Sequence, residues 1–153
     1  MEAFLNLIQR ITQYGTETIA KPDKPLALKK ALVDLYALYV NLEPSFDERL
    51  YEEVERLDYG LVYAHVKVNF PEFHDYKQLD QFLDPYQKPE ILTGDAIDDL
   101  SDLIIDLSEV AWRLQNTSLD DALWYFNTLM RIHSEEHVLN LLRYLKALEN
   151  SKN

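Results

Sequence analysis

The chain has 153 residues, 47% of them hydrophobic, with no cysteine and a formal charge of −12. That length supports one sizeable core, a single domain over residues 1–153. The charge repels phosphate backbones and anionic headgroups, excluding nucleic acid and bare membrane as partners, and the lack of cysteine excludes disulfides, thiolate ligands and a cysteine nucleophile.

Three glycines, Gly15, Gly60 and Gly94, are too few for the turns of an all-β chain, so helices are expected. The opening MEAFLNLIQRITQYG lacks a basic segment followed by an unbroken apolar run, and no later stretch approaches the ~20 apolar residues of a bilayer span. Those features predict a cytoplasmic protein.

Phe4, Leu7, Ile8, Ile11 and Tyr14 recur at helical spacing and predict a first helix fraying near Gly15. After Lys21-Pro22-Asp23-Lys24-Pro25, Leu28, Leu32, Leu35, Tyr39 and Leu42 predict a second, stopped by Pro44. Ser45 or Asp47 can cap a third helix through Leu50, Val54, Leu57, Leu61, Ala64 and Val68 to about Asn69, with Gly60 as a bend. From residue 70 to 93 the period is lost among Pro71, Pro85 and Pro89, which predicts a long irregular crossover. Its Phe73, Tyr76, Leu79, Phe82 and Tyr86 are expected to seal one end of the core.

Asp95 is placed to cap a fourth helix whose apolar residues Ile97, Leu100, Leu103, Ile104, Leu107, Val110, Ala111 and Leu114 share one arc of about 140°. Asp95, Asp98, Asp99, Asp102, Asp106 and Glu109 occupy the opposite arc, which reads as a solvated face. Thr117 or Ser118 caps the next helix, and Leu119, Leu123, Phe126, Met130, His133, His137, Leu141, Tyr144 and Leu148 continue at three- and four-residue steps. Residues 118–149 therefore form one long helix, or two with a joint near His133. The fold expected is all-α, a single-domain bundle of five or six helices with the 70–93 crossover before the fourth.

Two clusters could carry chemistry. Like charges four apart in the acid row cost roughly 0.2–0.5 kcal/mol per pair, so Asp95, Asp99, Asp102 and Asp106 form a candidate binding surface needing a cation from a neighbouring helix, a partner or a metal ion. His133-Ser134-Glu135-Glu136-His137 matches H-x-x-E-H, in which histidines one turn apart chelate zinc and the glutamate works on bound water. Against it, Ser134-Glu135-Glu136 also reads as a helix start, which would break the spacing. A composite metal site would join His133 and His137 to Asp98 or Asp99, the acids at the edges of the apolar arc. Tyrosines Tyr36, Tyr39, Tyr51, Tyr59, Tyr63, Tyr125 and Tyr144 are expected in helices at the core margin, hydroxyls in water.

Asn69-Phe70-Pro71-Glu72, the Gly94-to-Leu103 run, Asp121-Ala122-Leu123-Trp124 and the His133-to-Leu145 run together resemble family five-zero-six-three of the bacterial domains of unknown function. His133, His137 and Arg143 match its pattern; Ser134 and Glu135 stand where it has Trp-Gly, and Lys146 where it often has histidine. The resemblance implies an all-helical fold and a bacterial cytoplasm, and implies no activity.

The function expected is a non-enzymatic interaction module that offers its acidic, tyrosine-bearing surface to a basic protein partner or to its own copy, with no cofactor. The alternative is a metal-dependent hydrolase with a divalent ion at His133, His137 and Asp98 or Asp99. A small-ligand carrier is a third class, since cavities are invisible in a sequence.

Overall fold

Among the described residues six α-helices and one β-hairpin follow one another as α1 (Glu2–Thr12), α2 (Lys24–Asn41), α3 (Tyr59–Asn69), β1 (Asp75–Leu79), β2 (Ile91–Asp95), α4 (Ala96–Asn116), α5 (Leu119–Leu129) and α6 (Glu135–Ser151). A 3₁₀ turn, Gln13–Gly15, ends α1, and a π-helical turn, Met130–Ser134, joins α5 to α6. The computed structural model describes residues 1–152. The fold is largely helical, and the all-α expectation is corrected by the antiparallel hairpin, which pairs Asp75 with Asp95, Lys77 with Thr93 and Leu79 with Ile91.

The long amphipathic helix α4 is the centre of the molecule, with α1, α3, α5 and α6 all packed on it. Its buried side chains Leu100, Leu103, Ile104, Leu107 and Val110 join Ile8 and Ile11 of α1, Leu28, Leu32 and Leu35 of α2, Val62 and Val66 of α3, and Leu141 and Leu145 of α6 in one cluster. Each fully buried aliphatic side chain contributes roughly 1.5–3 kcal/mol relative to exposure, so this shared cluster is what holds the helices around α4. Asn69, at the end of α3, is wholly buried; its Oδ1 accepts from the Ile19 amide at 2.8 Å and its Nδ2 donates to the carbonyls of Tyr14 and Glu17, both at 2.8 Å. It thereby ties down the chain between α1 and α2.

Both predicted caps around α4 and α5 form. Asp95 Oδ1 accepts from the Ile97 amide at 2.8 Å, and Ser118 Oγ accepts from the Asp121 amide at 3.0 Å. The third helix is shorter than expected, since residues 43–58 lack regular structure and Asp58, not Ser45 or Asp47, caps it through the Leu61 amide at 2.9 Å. Asp47 is occupied elsewhere, accepting from the hydroxyls of Tyr51 (2.7 Å) and Ser118 and from the Arg49 amide. Leu50 is 100% exposed, so a helix there would have no apolar stripe to bury.

The crossover is also not the expected seal. Phe73 is buried and Tyr76 half-buried, but Leu79, Phe82 and Tyr86 are exposed and take no part in the core. At Gly94 a Cβ would fall inside the Tyr76 ring on the paired strand. Glycine there lets the ring lie flat across β2, which aims the Tyr76 hydroxyl at α4.

Candidate metal centre

The acid row of α4 is not a solvent face. Asp99 is 5% exposed, Asp106 2% and Glu109 6%, because Arg56, Tyr76, Tyr125, Ser134 and His137 lie over them. A buried carboxylate left alone costs several kcal/mol, and each of these has a donor or a cation beside it, although Glu109 Oε1 meets Arg56 as an ion pair without a hydrogen bond of good geometry. Asp106 accepts from Arg56 Nη2 at 2.9 Å, from Ser134 Oγ at 2.7 Å and from His133 Nδ1 at 2.8 Å. Glu109 lies 2.6 Å from Arg56 Nη1 and accepts from the Tyr125 hydroxyl. Asp99 accepts from His137 Nδ1 at 2.7 Å through one oxygen and from the Tyr76 hydroxyl through the other.

These bonds set the two histidines. Both Nδ1 atoms point at carboxylate oxygens and so carry the proton, which leaves the Nε2 atoms of the neutral rings as lone-pair acceptors. Those two Nε2 atoms face each other at 3.1 Å, with the rings nearly perpendicular. Two lone pairs in that arrangement repel unless a cation lies between them. Asp102 completes the group, with Oδ2 3.6 Å from His137 Nε2, and the three ligand atoms all lie within 4.8 Å of one another. Two imidazoles on a tetrahedral zinc ion, at about 2.0–2.1 Å each, stand roughly 3.3 Å apart, close to the separation seen here.

The electrostatics have the same direction. Burial depresses the His137 pKa, but the hydrogen bond to Asp99 and the charges of Asp99, Asp102 and Asp98 outweigh it and raise the pKa above the ordinary histidine value. Asp102 is raised by burial and by the neighbouring Asp98, against the pull of both histidines. The site thus holds more negative charge than its own groups neutralise. Tyr76, pushed upward by burial and by its bond to Asp99, remains a neutral donor, as does Tyr125, pushed up to about 12 by burial and by Glu109.

Several expectations are corrected by this placement. Asp99 does not face the ion position, since both its oxygens are engaged, and it orients His137 instead. Asp98 accepts from the Tyr59 hydroxyl and stands outside the group, while Asp95 caps α4 and accepts from the Tyr63 hydroxyl at 2.8 Å. Of the four acids read as a binding surface, Asp99 and Asp106 are buried, and Asp102 is the one that converges with His133 and His137. Ser134 does not cap a new helix, since the π turn keeps the backbone helical and the one-turn histidine spacing intact. Turns of this type often occur at functional sites. The tyrosine hydroxyls are not left to water: Tyr36, Tyr59, Tyr63 and Tyr125 all bond carboxylates, and Tyr51 does so from outside any helix.

Arg56, Ser134 and Tyr76 were not legible as parts of the site. Ser134 lies beside His133 in sequence, but Arg56 is 50 residues from Asp106, and nothing in the chain order marks that pairing.

The site opens to solvent. The His133 side chain is 47% exposed, and a cleft of about 490 Å³ over the group is lined by Tyr76, Gly94, His133, Glu136 and His137. Among the described residues no helix is long and apolar enough to cross a membrane.

Compared with known proteins, the chain matches no family model and no curated protein. Its fold is similar to the crystal structure of protein BF1032 from Bacteroides fragilis, with a TM-score of 0.65 and 16% identity over 96% of this chain and 85% of that one. At that identity the likeness shows the fold alone.

Proposed function

We propose that the chain is a divalent-metal protein whose ion is held by Asp102, His133 and His137 and whose chemistry is metal-assisted hydrolysis. The observation that carries this reading is the pair of Nε2 atoms facing each other at 3.1 Å, each ring fixed at Nδ1 by a carboxylate. Carboxylates behind ligating histidines fix the tautomer and raise ligand basicity, and here both histidines have one. Three protein ligands leave coordination positions free, as catalytic rather than structural sites do. Zinc held there by Asp102, His133 and His137 would supply Lewis acidity toward water or a polarised substrate. In the hydrolysis, water oxygen bonds to the electrophilic carbon or phosphorus as the bond to the leaving group breaks. Glu136, which lines the cleft, takes the water's proton and passes it to the leaving group.

The test is metal analysis of protein purified without chelator, followed by titration with zinc, manganese and iron. About one equivalent of tightly held ion is expected, with a raised melting temperature, and both are lost in His137→Ala and Asp102→Ala. A proton shared between the two imidazoles is the competing account of the close approach. If no ion is retained and melting is unchanged on metal addition in the native chain, that account stands and the metal centre falls.

A non-enzymatic interaction module, binding a protein partner or its own copy, is the second reading. It is favoured by the exposed apolar side chains Phe82, Leu83 and Tyr86 at the end of the hairpin, not by the acids of α4. Size-exclusion chromatography at low and high salt tests it, and a monomer at every concentration counts against self-association. From the sequence resemblance alone we infer a bacterial, cytoplasmic protein of the unknown-function family named above.

A further inference from the structure

We infer that the substrate of the metal centre is a small organic anion with an apolar body, held in the cleft between α6 and the hairpin. This rests on the metal-centre reading and names what that site acts on. The cleft has a volume of about 740 Å³, within the range of small-molecule sites. His133 and Glu136 line both it and the smaller cleft beside Asp99 and His137, so a molecule seated there lies against one of the two histidines of the proposed ion position.

Its charge is opposite in sign to that of the whole chain. Lys77 of β1, Arg131 of the π turn and Arg143 of α6 all line it. Among the described residues none of the three forms an ion pair, although acids outnumber lysines and arginines 27 to 15. Of the two acids in the lining, Glu135 accepts from the hydroxyls of Tyr36 at 2.9 Å and Tyr39 at 3.4 Å, and Glu136 is the proposed base. Beside the polar Gln78, His133 and Asn140, the lining is apolar and exposed at Leu79, Phe82, Ile132 and Leu139. Three unpaired cations beside an uncovered apolar floor fit one kind of small molecule, a carboxylate or phosphate carried on a hydrocarbon or aromatic body. With three cations against two carboxylates in its lining, the cleft raises the local concentration of such an anion relative to the rest of this acidic surface.

The experiment uses 1-naphthylacetate and its neutral counterpart 1-naphthylacetamide as probes, titrated calorimetrically into zinc-loaded and metal-free protein. The acid is expected to bind at least tenfold more tightly than the amide in both forms. That preference is expected to vanish in the double variant Arg131→Ala/Arg143→Ala, with amide binding unchanged. Both arginines are exposed, so their removal leaves the core intact. Equal binding of acid and amide overturns the inference. So does a preference that appears only with zinc and survives the double variant, because the carboxylate is then a ligand of the ion and not of the cleft. Zinc uptake is scored separately: uptake without anion preference overturns this inference alone, whereas no uptake overturns the metal centre and the inference built on it.

Discussion

Asp99→Asn isolates the carboxylate behind His137 without changing its size. In the native chain Asp99 Oδ1 accepts from His137 Nδ1 at 2.7 Å and the other oxygen accepts from the Tyr76 hydroxyl. An amide offers one acceptor and one donor, so it satisfies both neighbours only with its oxygen toward His137 and its NH₂ toward Tyr76, whose hydroxyl then turns to accept. The fold therefore survives, and what is lost is the negative charge that makes His137 a better base at Nε2. Loss of such an outer carboxylate weakens metal binding about 10–100-fold, roughly 1.4–2.7 kcal/mol. The opposite amide orientation is harsher, because NH₂ facing Nδ1 forces the proton onto Nε2 and blocks the lone pair. The assay is competition for zinc against a chromophoric chelator at neutral pH, with circular dichroism to confirm that the variant is folded. A folded Asp99→Asn protein with native zinc affinity refutes the reasoning, since His137 would then need no carboxylate behind it.

Gly94→Ala places a methyl group inside the Tyr76 ring and is expected to destabilise by about 1–3 kcal/mol in urea denaturation while weakening zinc binding, because the displaced ring no longer reaches Asp99. Arg56→Met leaves Asp106 and Glu109 without their shared cation; the guanidinium is half exposed, so the cost is set below that of a fully buried pair, at about 2–3 kcal/mol by thermal melting. The metal-free protein should lose stability as pH rises: the raised His137 pKa contributes stability fully present below the unfolded value near ~6.5 and lost as pH passes through the higher folded value. Zinc affinity should run the other way, rising over the same interval as His137 gives up its proton, and calorimetry at several pH values checks both slopes.

What could be read from the chain order follows from which forces are local. The helices α1, α2, α4 and α5 were visible because their apolar residues repeat at 3.6, and Asp95 and Ser118 cap where they do because they bond amides two and three residues away. The start of α3 was not, because Asp47 and Asp58 are equally good caps locally, and Asp47 is bonded to Ser118, 71 residues away. The strands are five residues each, bounded by proline-containing segments, and only the fit of the Tyr76 ring over Gly94 distinguishes them from loop. The histidine spacing was legible, whereas the choice of acid was not. A helical wheel ranks Asp98 and Asp99 as nearest the core, but with other elements packed around α4 none of its residues from 96 to 114 is exposed. Asp102 then points at the histidines, and Asp106 is the most buried of the row.

The same packing explains why an acid row so rich in charge tolerates burial and why it suits a cation. Tyrosine hydroxyls bond Asp95, Asp98, Asp99 and Glu109, all from neutral donors whose pKa values are pushed upward. Such bonds satisfy the acceptor oxygens, which removes most of the desolvation cost, yet leave the negative charge in place. Among the described residues Arg56 is the one full cation in contact with the row, and it sits at the Asp106–Glu109 end. Toward Asp99 and Asp102 the groups among the described residues that can carry positive charge are His137 and His133, whose Nε2 atoms lie 3.1 Å apart in a group with the Asp102 carboxylate. A lysine there would have closed the site as an ion pair. Imidazoles leave it negative and equipped with lone pairs, conditions that the divalent ion proposed above would meet.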